Sequence, residues 1–563
     1  MRQQKQPATA TESVRRPLKL WQRALQALPF AVLLAIVVYY IMGPSRGFFH
    51  SDCADTMFWA QAIVEGGRVL NPDFYYAAIL PFGANFWFVP LISLFGVTML
   101  TQTLGMAIFA LVFMLSAIFL FRSLQWRYPW RLLATAALML ILSSSEKLRE
   151  IMWGHVIYYS LILTLVFLGL GLIIRLLDHD IFLAYPSEGK TWRSRILLLL
   201  LILLAAGAAT NGFQMIAMFL IPLAGALIAD QFADPESSLN RPATQQAGIL
   251  AASLAIGSAL GLILLAFLSR GGKITAGYAN AFSLYSSSKD WFDNAGKFLP
   301  QLFALLGIGI ENGTSFVSFD SLVNLSKVFG ALTILICPLL LLLTYRRISD
   351  RPTRLLLWVH LFITAVTLFT FIFGRLANAS WRLTPFLGSS ILVTVAALRH
   401  FAASQHEPDR RAMQRRLAAI AVFLLILPSC VNGLTLVSYP FDYIKDQKMA
   451  MLSELLAREN LTYGYATFWH AQALTVMTDS RSKVRVVNIP SGGVEICDYQ
   501  SNKNWYLDQA DQSEYFLLMN ASEYRILRDS GDWPLMEPRI IRQISEGGFE
   551  ILVFGENIWG IID

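Results

Sequence analysis

The stretch HSDCADTMFWAQAIVEGGRVLNPDFYY, from His50 to Tyr76, follows directly on the first membrane-length apolar run and is itself polar and acid-bearing. Residues three and four apart are neighbours on a helix surface, so a short helix here puts Asp52, Asp55 and Trp59 on one face. That face carries two carboxylates and an indole. Gly66-Gly67 ends the helical pattern, and Asn71-Pro72 opens an extended run. Phe74, Tyr75 and Tyr76 suit a membrane–water interface, where rings with a polar edge are favoured. The same residues also read as an ordinary amphipathic connector with Ser51 or Asp52 as its N-cap.

The apolar run before this stretch, from Leu25 to Met42, is about long enough to cross a bilayer and follows a polar, basic segment, 1–24, that holds Arg15, Arg16, Lys19 and Arg23. No small-residue cleavage site precedes Gly43-Pro44, so we read an uncleaved first span with a cytoplasmic N-terminal tail. Further apolar runs lie at 84–96, 98–121, 132–145, 156–175, 196–209, 213–229, 247–268, 327–345, 355–373, 384–398 and 417–437. With 84–96 as a half-span, about eleven crossings remain. Composition agrees: 55% of the 563 residues are hydrophobic and only 15% charged, which points to a polytopic α-helical membrane protein.

The net charge of +7 does not indicate nucleic acid, because the basic residues cluster beside apolar segments, where they set topology. The loops that must be cytoplasmic hold Arg122/Arg127/Arg131, Lys190/Arg193/Arg195, Arg346/Arg347/Arg351/Arg354 and Arg399/Arg410/Arg411/Arg415/Arg416. One loop departs from the rule: 230–246 carries Asp230, Asp234 and Glu236 against Arg241 alone. Thr210-Asn211-Gly212 joins two spans as a tight hairpin. The transmembrane part thus covers 25–438, with external loops 43–83 and 270–326, the second long enough to be a lid or binding loop. With eleven crossings the tail 439–563 lies outside the cell. It alternates helix-like (446–459, 521–529) and strand-like (462–466, 484–487, 515–518, 551–554) runs, which predicts a small α/β domain.

Asp55-Thr-Met-Phe-Trp59-Ala60, Pro81-Phe-Gly-Ala-Asn85, Pro90-Leu-Ile-Ser-Leu-Phe-Gly96 and Trp381-Arg382-Leu-Thr-Pro385 together resemble motifs of the GT-C class of membrane glycosyltransferases, which includes protein O-mannosyltransferases and lipid A aminoarabinose transferases. Those enzymes place an acid on a short helix at the start of the first external loop, followed by an aromatic residue and an alanine four and five positions later. Asp55 has that spacing and Asp52 does not, whereas Thr56 stands where the best-known members have Glu. The likeness in topology covers about 1–438. The tail, with Tyr463-Gly-Tyr-Ala-Thr-Phe-Trp469, looks like the external domains of uncharacterised bacterial members.

The resemblance implies inverting transfer of a sugar from a polyprenyl-phosphate donor to a glycan, lipid or protein acceptor at the outer boundary of the inner or plasma membrane. Such a reaction needs one base and cations for the leaving phosphate. Asp55 is the implied base. Asp52, one turn away, would couple to its titration or simply cap the helix. Phosphate contacts fall to external cations: Arg382 first, on the class motif, then Arg375, Lys273 and Arg149, although Arg149 also suits a plain ion pair with Glu146. Trp59, His155 and Tyr278 are candidate acceptor or loop contacts, with an interfacial hydrogen-bonding role the simpler reading of His155.

No cofactor beyond the lipid-linked sugar is implied, and a need for divalent metal stays open. Four cysteines are too few for a disulfide scaffold and match no zinc spacing. Cys53 and Cys497, both external, could pair in an oxidising compartment, but two free thiols are the simpler expectation. The external Asn-x-Ser/Thr triplets at Asn312, Asn324, Asn378, Asn460 and Asn520 are read as unmodified. A transporter or lipid-linked-glycan flippase is the alternative function, which would place ionisable groups near the span centres, where this sequence has few. A non-catalytic scaffold whose tail binds an envelope partner is the third.

Overall fold

The computed structural model describes residues 19–562 apart from 78–81, 84, 156–158, 179–187, 234–240, 272, 275–283, 311–312, 314 and 404–407. Among the described residues ten helices are long and apolar enough to cross a membrane, beginning with α1 (Leu20–Met42). After α1 come the polar α2 (Ser51–Gly66), the short α3 (Asn85–Phe95), the spanning α4 (Met99–Ser123) and the short α5 (Tyr128–Ile141). α5 also crosses the bundle, because Tyr128 packs on Phe30 in the first half of α1 while Ser144, just beyond its other end, accepts from Lys327. With α5 added, the described residues give about eleven crossings, roughly the number predicted, and α3 is a second short apolar helix. The protein is a polytopic α-helical membrane protein.

The segments predicted to be external gather at one end of the bundle. A three-stranded sheet there joins three regions remote in sequence: β1 (Phe74–Tyr76) pairs in parallel with β2 (Lys273–Ile274) and antiparallel with a strand of the tail, Ser501–Asn502. Phe48 stacks on Tyr443 beyond the last span, and Ser286 N donates to Phe373 O between two further loops. The opposite end accounts for the acidic loop that broke the charge pattern. Asp230 is fully buried and accepts from Arg351 and Arg354, both at 2.9 Å, so this acid neutralises basic residues of the next loop on its own side.

α2 ends where the glycines require it, with Gly67 at φ 59°, a left-handed conformation that costs glycine little. Its N-cap is His50, without a side-chain capping bond. The expected Ser51 or Asp52 cap is not formed, because Ser51 Oγ donates across to Phe468 O of the tail at 2.6 Å.

The tail is an α/β unit. β3 (Tyr463–Ala466), β4 (Lys483–Asn488), β5 (Glu495–Ile496), β6 (Ser501–Asn502), β7 (Tyr515–Asn520), β8 (Ile540–Glu546) and β9 (Phe549–Phe554) follow in the chain. All but β6 form one sheet in the order β5-β4-β3-β7-β9-β8, parallel at its centre and antiparallel at its edges. The helices Gln447–Arg458 and Ala521–Arg528 and four strands match the predicted runs. The helix Phe468–Met477 and strand β8 do not appear in that reading. This helix is largely buried, between β4 on one side and α2 on the other, so its sequence shows little amphipathic periodicity.

Candidate active site

Two features lie against α2 at the end of the bundle where the tail sits. The first is a narrow cleft between the end of α1, the first turn of α2, α4 and the loop that follows α5. That loop contains the short helix α6 (Glu146–Arg149), capped by Ser145 Oγ, and continues as a single π-helical turn from Glu150 to Gly154. Such turns widen the helix and often re-aim side chains at functional sites. Gln102 of α4 fixes both walls, since its amide donates to Cys53 O at 2.9 Å and to Gly154 O at 2.7 Å.

Arg149 reaches into this cleft with only 5% of its surface exposed. Its guanidinium lies over the rings of Tyr40, Phe48 and Tyr439, at 5.5–5.9 Å, and donates to Ser143 O and Tyr439 Oη. Its Nε has no hydrogen-bond partner among the described residues. The simple ion pair with Glu146 is absent, because Glu146 instead takes Lys445 at 2.5 Å. A buried cation held by rings and carbonyls, with no carboxylate against it among the described residues, is a site for an anion.

Beside it, Glu150 accepts from Lys147 at 2.5 Å and has His50 Nε2 at 3.6 Å and His155 Nε2 at 3.5 Å. Burial alone would raise the Glu150 pKa, but His155, His50 and Lys147 outweigh it and hold the carboxyl far below its usual range. Burial alone would lower the His50 pKa, yet the neighbouring Cys53 sulfur and the Glu150 carboxylate lift it to about 11. Glu150 is therefore a fixed anion and a poor proton acceptor, and His50 a second cation in the cleft.

The second feature is the opposite face of α2. Asp55 is buried there, at 5% exposure, and its Oδ1 has no hydrogen-bond partner among the described residues. Burial, then the like charge of Asp52, push its pKa well above the carboxylate range, while the Gln500 amide and His50 act the other way. Trp59, one turn further on, donates from Nε1 to Gln500 Oε1. Asp55 and Trp59 thus lie on the helix side that meets Gln500 of the tail, and neither Asp55 nor Asp52 lines the cleft.

The other predicted residues are dispersed. His155 joins the Glu150 cluster. Arg382 is half-buried on the turn Ser380–Leu383, outside the cleft lining, although Lys147 lies over the ring of the adjacent Trp381 at 5.0 Å. Arg375 is exposed. Lys273 belongs to β2, opposite Tyr75, and Tyr278 lies outside the described residues. Cys53 and Cys497 are both buried and free. Among the described residues no three His, Cys, Asp or Glu side chains converge as a metal ligand set, and no residue is assigned to a metal. Glu150, His50, Gln500 and Arg485 were not singled out in the sequence. Glu150 could have been, as the second acid of Glu146-Lys-Leu-Arg-Glu150 on an external loop.

No family model and no curated sequence matches this chain. Solved structures do. ArnT from Cupriavidus metallidurans in the apo state superposes with a TM-score of 0.51 at 12% identity, covering 95% of this chain and 98% of that one. The same protein bound to undecaprenyl phosphate gives 0.51 over 94% and 98%, also at 12% identity. The chain has the GT-C fold. The oligosaccharyltransferase of Archaeoglobus fulgidus is also similar, at 13% identity and a TM-score of 0.46, over 92% of this chain and 73% of that one. Within this fold α2 stands between the spans and the tail domain.

Proposed function

We propose that this protein is a membrane glycosyltransferase that moves a sugar from a polyprenyl-phosphate donor to an acceptor outside the cytoplasm, with the N-terminus inside and the tail domain outside. The observation that carries the reading is Arg149, a guanidinium that is almost wholly buried in a cleft and faces no carboxylate among the described residues. A phosphate matches its forked donors. Arg46 lines the same cleft, and His50 adds positive charge. The full-length superposition on ArnT, a protein whose structure has been solved with undecaprenyl phosphate bound, supports the same class of ligand.

The chemistry follows from the two faces of α2. The donor phosphate rests on Arg149 in the cleft, and its sugar reaches past the first turn of α2. An acceptor oxygen attacks the anomeric carbon as the bond to the phosphate oxygen breaks, so that the configuration inverts. The electron pair leaves with the phosphate, whose charge Arg149 and Arg46 stabilise. The acceptor's proton goes to Asp55. Its environment suits that step better than that of Glu150, since burial makes the Asp55 carboxylate more basic whereas three cations make Glu150 less so.

Purification in a mild detergent followed by native mass spectrometry tests the donor assignment. A retained polyprenyl phosphate that is lost in Arg149→Met supports it, and a protein that never holds a phosphorylated lipid contradicts it.

A further inference from the structure

The face of α2 that carries Asp55 meets the tail domain across a surface that is buried yet poorly satisfied. On the α2 side, Asp55 Oδ1 and Thr56 Oγ1 have no hydrogen-bond partner among the described residues. On the tail side the same is true of Gln472 Oε1, Gln500 Nε2, Trp505 Nε1 and both Nε and Nη1 of Arg485. These six residues are each 5% exposed or less. Their contacts connect them: Gln500 accepts from Trp59 and faces Asp55, Gln472 Nε2 donates to Gln500 O at 2.8 Å, and Trp505 packs on Phe58 of α2 while carrying Arg485 over its ring at 4.3 Å.

Buried polar groups in folded proteins are nearly always paired, so such a concentration on two facing surfaces marks a place where a polar ligand completes the bonding. The balance of charge says which kind. Four of the seven atoms are pure donors, two of them on a guanidinium. Glu65, a second acid on α2 beside Asp55, is held by Gln61 at 2.6 Å and Asn502 at 2.9 Å rather than by Arg485. An oxyanion satisfies Arg485 and Trp505 together.

We propose that the interface between α2 and the tail domain is the acceptor site, and that the acceptor carries a carboxylate or phosphate bound by Arg485 and Trp505 while its nucleophilic hydroxyl meets Asp55. This rests on the transferase reading above and adds the class of acceptor to it. Gln500 occupies the place beside Asp55 that the hydroxyl takes, so the segment 497–505 shifts when the acceptor enters. That segment is held in a demanding conformation, since Gln500 has φ 54°, a left-handed value unusual for a residue with a side chain.

The test titrates the full-length protein in lipid nanodiscs with glucose 6-phosphate, glucuronate and glucose, reading heat and tryptophan fluorescence. At least one of the two anionic sugars should bind at least tenfold more tightly than glucose, and which of them does so identifies phosphate or carboxylate as the recognised group. Arg485→Met should abolish the preference for anions, and Arg485→Lys should keep it in weakened form. Equal binding of all three sugars, no binding of either anion, or an unchanged preference in Arg485→Met would overturn the proposal. If Arg485→Met does not fold, Arg485→Lys and Trp505→Phe carry the same comparison. The Arg485 substitutions read the acceptor side alone, so their failure is distinguishable from the failure to retain a polyprenyl phosphate.

Discussion

Trp59 on α2 donates its indole N–H to the side-chain oxygen of Gln500, 441 residues later in the chain. The bond fixes which way the Gln500 amide points. With its oxygen on Trp59, its nitrogen is turned toward Asp55, the residue one helical turn earlier on the same face. A tail domain that adds no chemistry in the sequence therefore supplies a polar neighbour of the candidate base.

Asp55→Asn should abolish sugar transfer, with a loss of at least about a hundredfold as expected for removal of a general base. It should also stabilise the fold at neutral and alkaline pH. A group whose pKa is raised by folding contributes stability below its unfolded value and loses it as pH rises through the folded one. The neutral amide is spared that loss. Asp52→Asn, on a half-buried residue, should impair transfer less. Transfer assays combined with thermal unfolding at pH 5 and pH 8 check both points, and full activity in Asp55→Asn would remove the base assignment.

Arg149→Met should weaken binding of polyprenyl phosphate by about tenfold or more, because charge-assisted hydrogen bonds contribute about 1.5–3 kcal/mol each. Arg149→Lys should recover part of the loss, since it restores charge without the fork. The measurement is lipid occupancy by native mass spectrometry across a dilution series. Equal occupancy in wild type and Arg149→Met would show that the phosphate lies elsewhere.

Glu150 and His50 predict opposite pH limits for one cluster. The Glu150 carboxyl is depressed by folding, so its stabilising effect is present above about pH 4.3 and is lost on acidification below it. His50 is raised to about 11, so its effect is complete below about pH 6.5 and fades as pH climbs toward 11. Thermal midpoints of wild type should fall at both ends of the range. Glu150→Gln should flatten the acid limb and part of the alkaline one, as it removes one of the two partners that raise His50, whereas His50→Gln should flatten chiefly the alkaline one.

Asp230→Ala should be among the most destabilising single changes at the opposite end of the bundle. It leaves Arg351 and Arg354 without their shared carboxylate, and breaking a buried pair costs about 3–5 kcal/mol. Expression level and unfolding temperature in detergent report the effect. Sugar transfer per folded molecule should stay unchanged, since the residue lies on the far side of the membrane from the cleft.

Much of the fold is legible in the chain because a bilayer allows few solutions. Apolar runs of membrane length read as helical spans, since a helix satisfies its own backbone within lipid, and the arginine-rich loops predict their direction. The one loop that broke the pattern did so for a tertiary reason, the burial of Asp230 against two arginines of the next loop. Within α2 the helical period correctly places Asp52, Asp55 and Trp59 together. It does not tell which neighbour that face meets.

The sequence by itself determined a membrane-spanning helical bundle with an acid-bearing helix after its first span and an α/β tail, because hydropathy, helical period and turn residues act over short stretches. The tertiary structure alone decided that α2 is a partition, with His50, Cys53 and Arg149 in a cleft on one side and Asp55 beneath Gln500 on the other. The reason is physical: an unpaired guanidinium or an orphaned carboxyl oxygen is defined by what does not approach it, and that depends on segments hundreds of residues apart folding to one end of the same bundle.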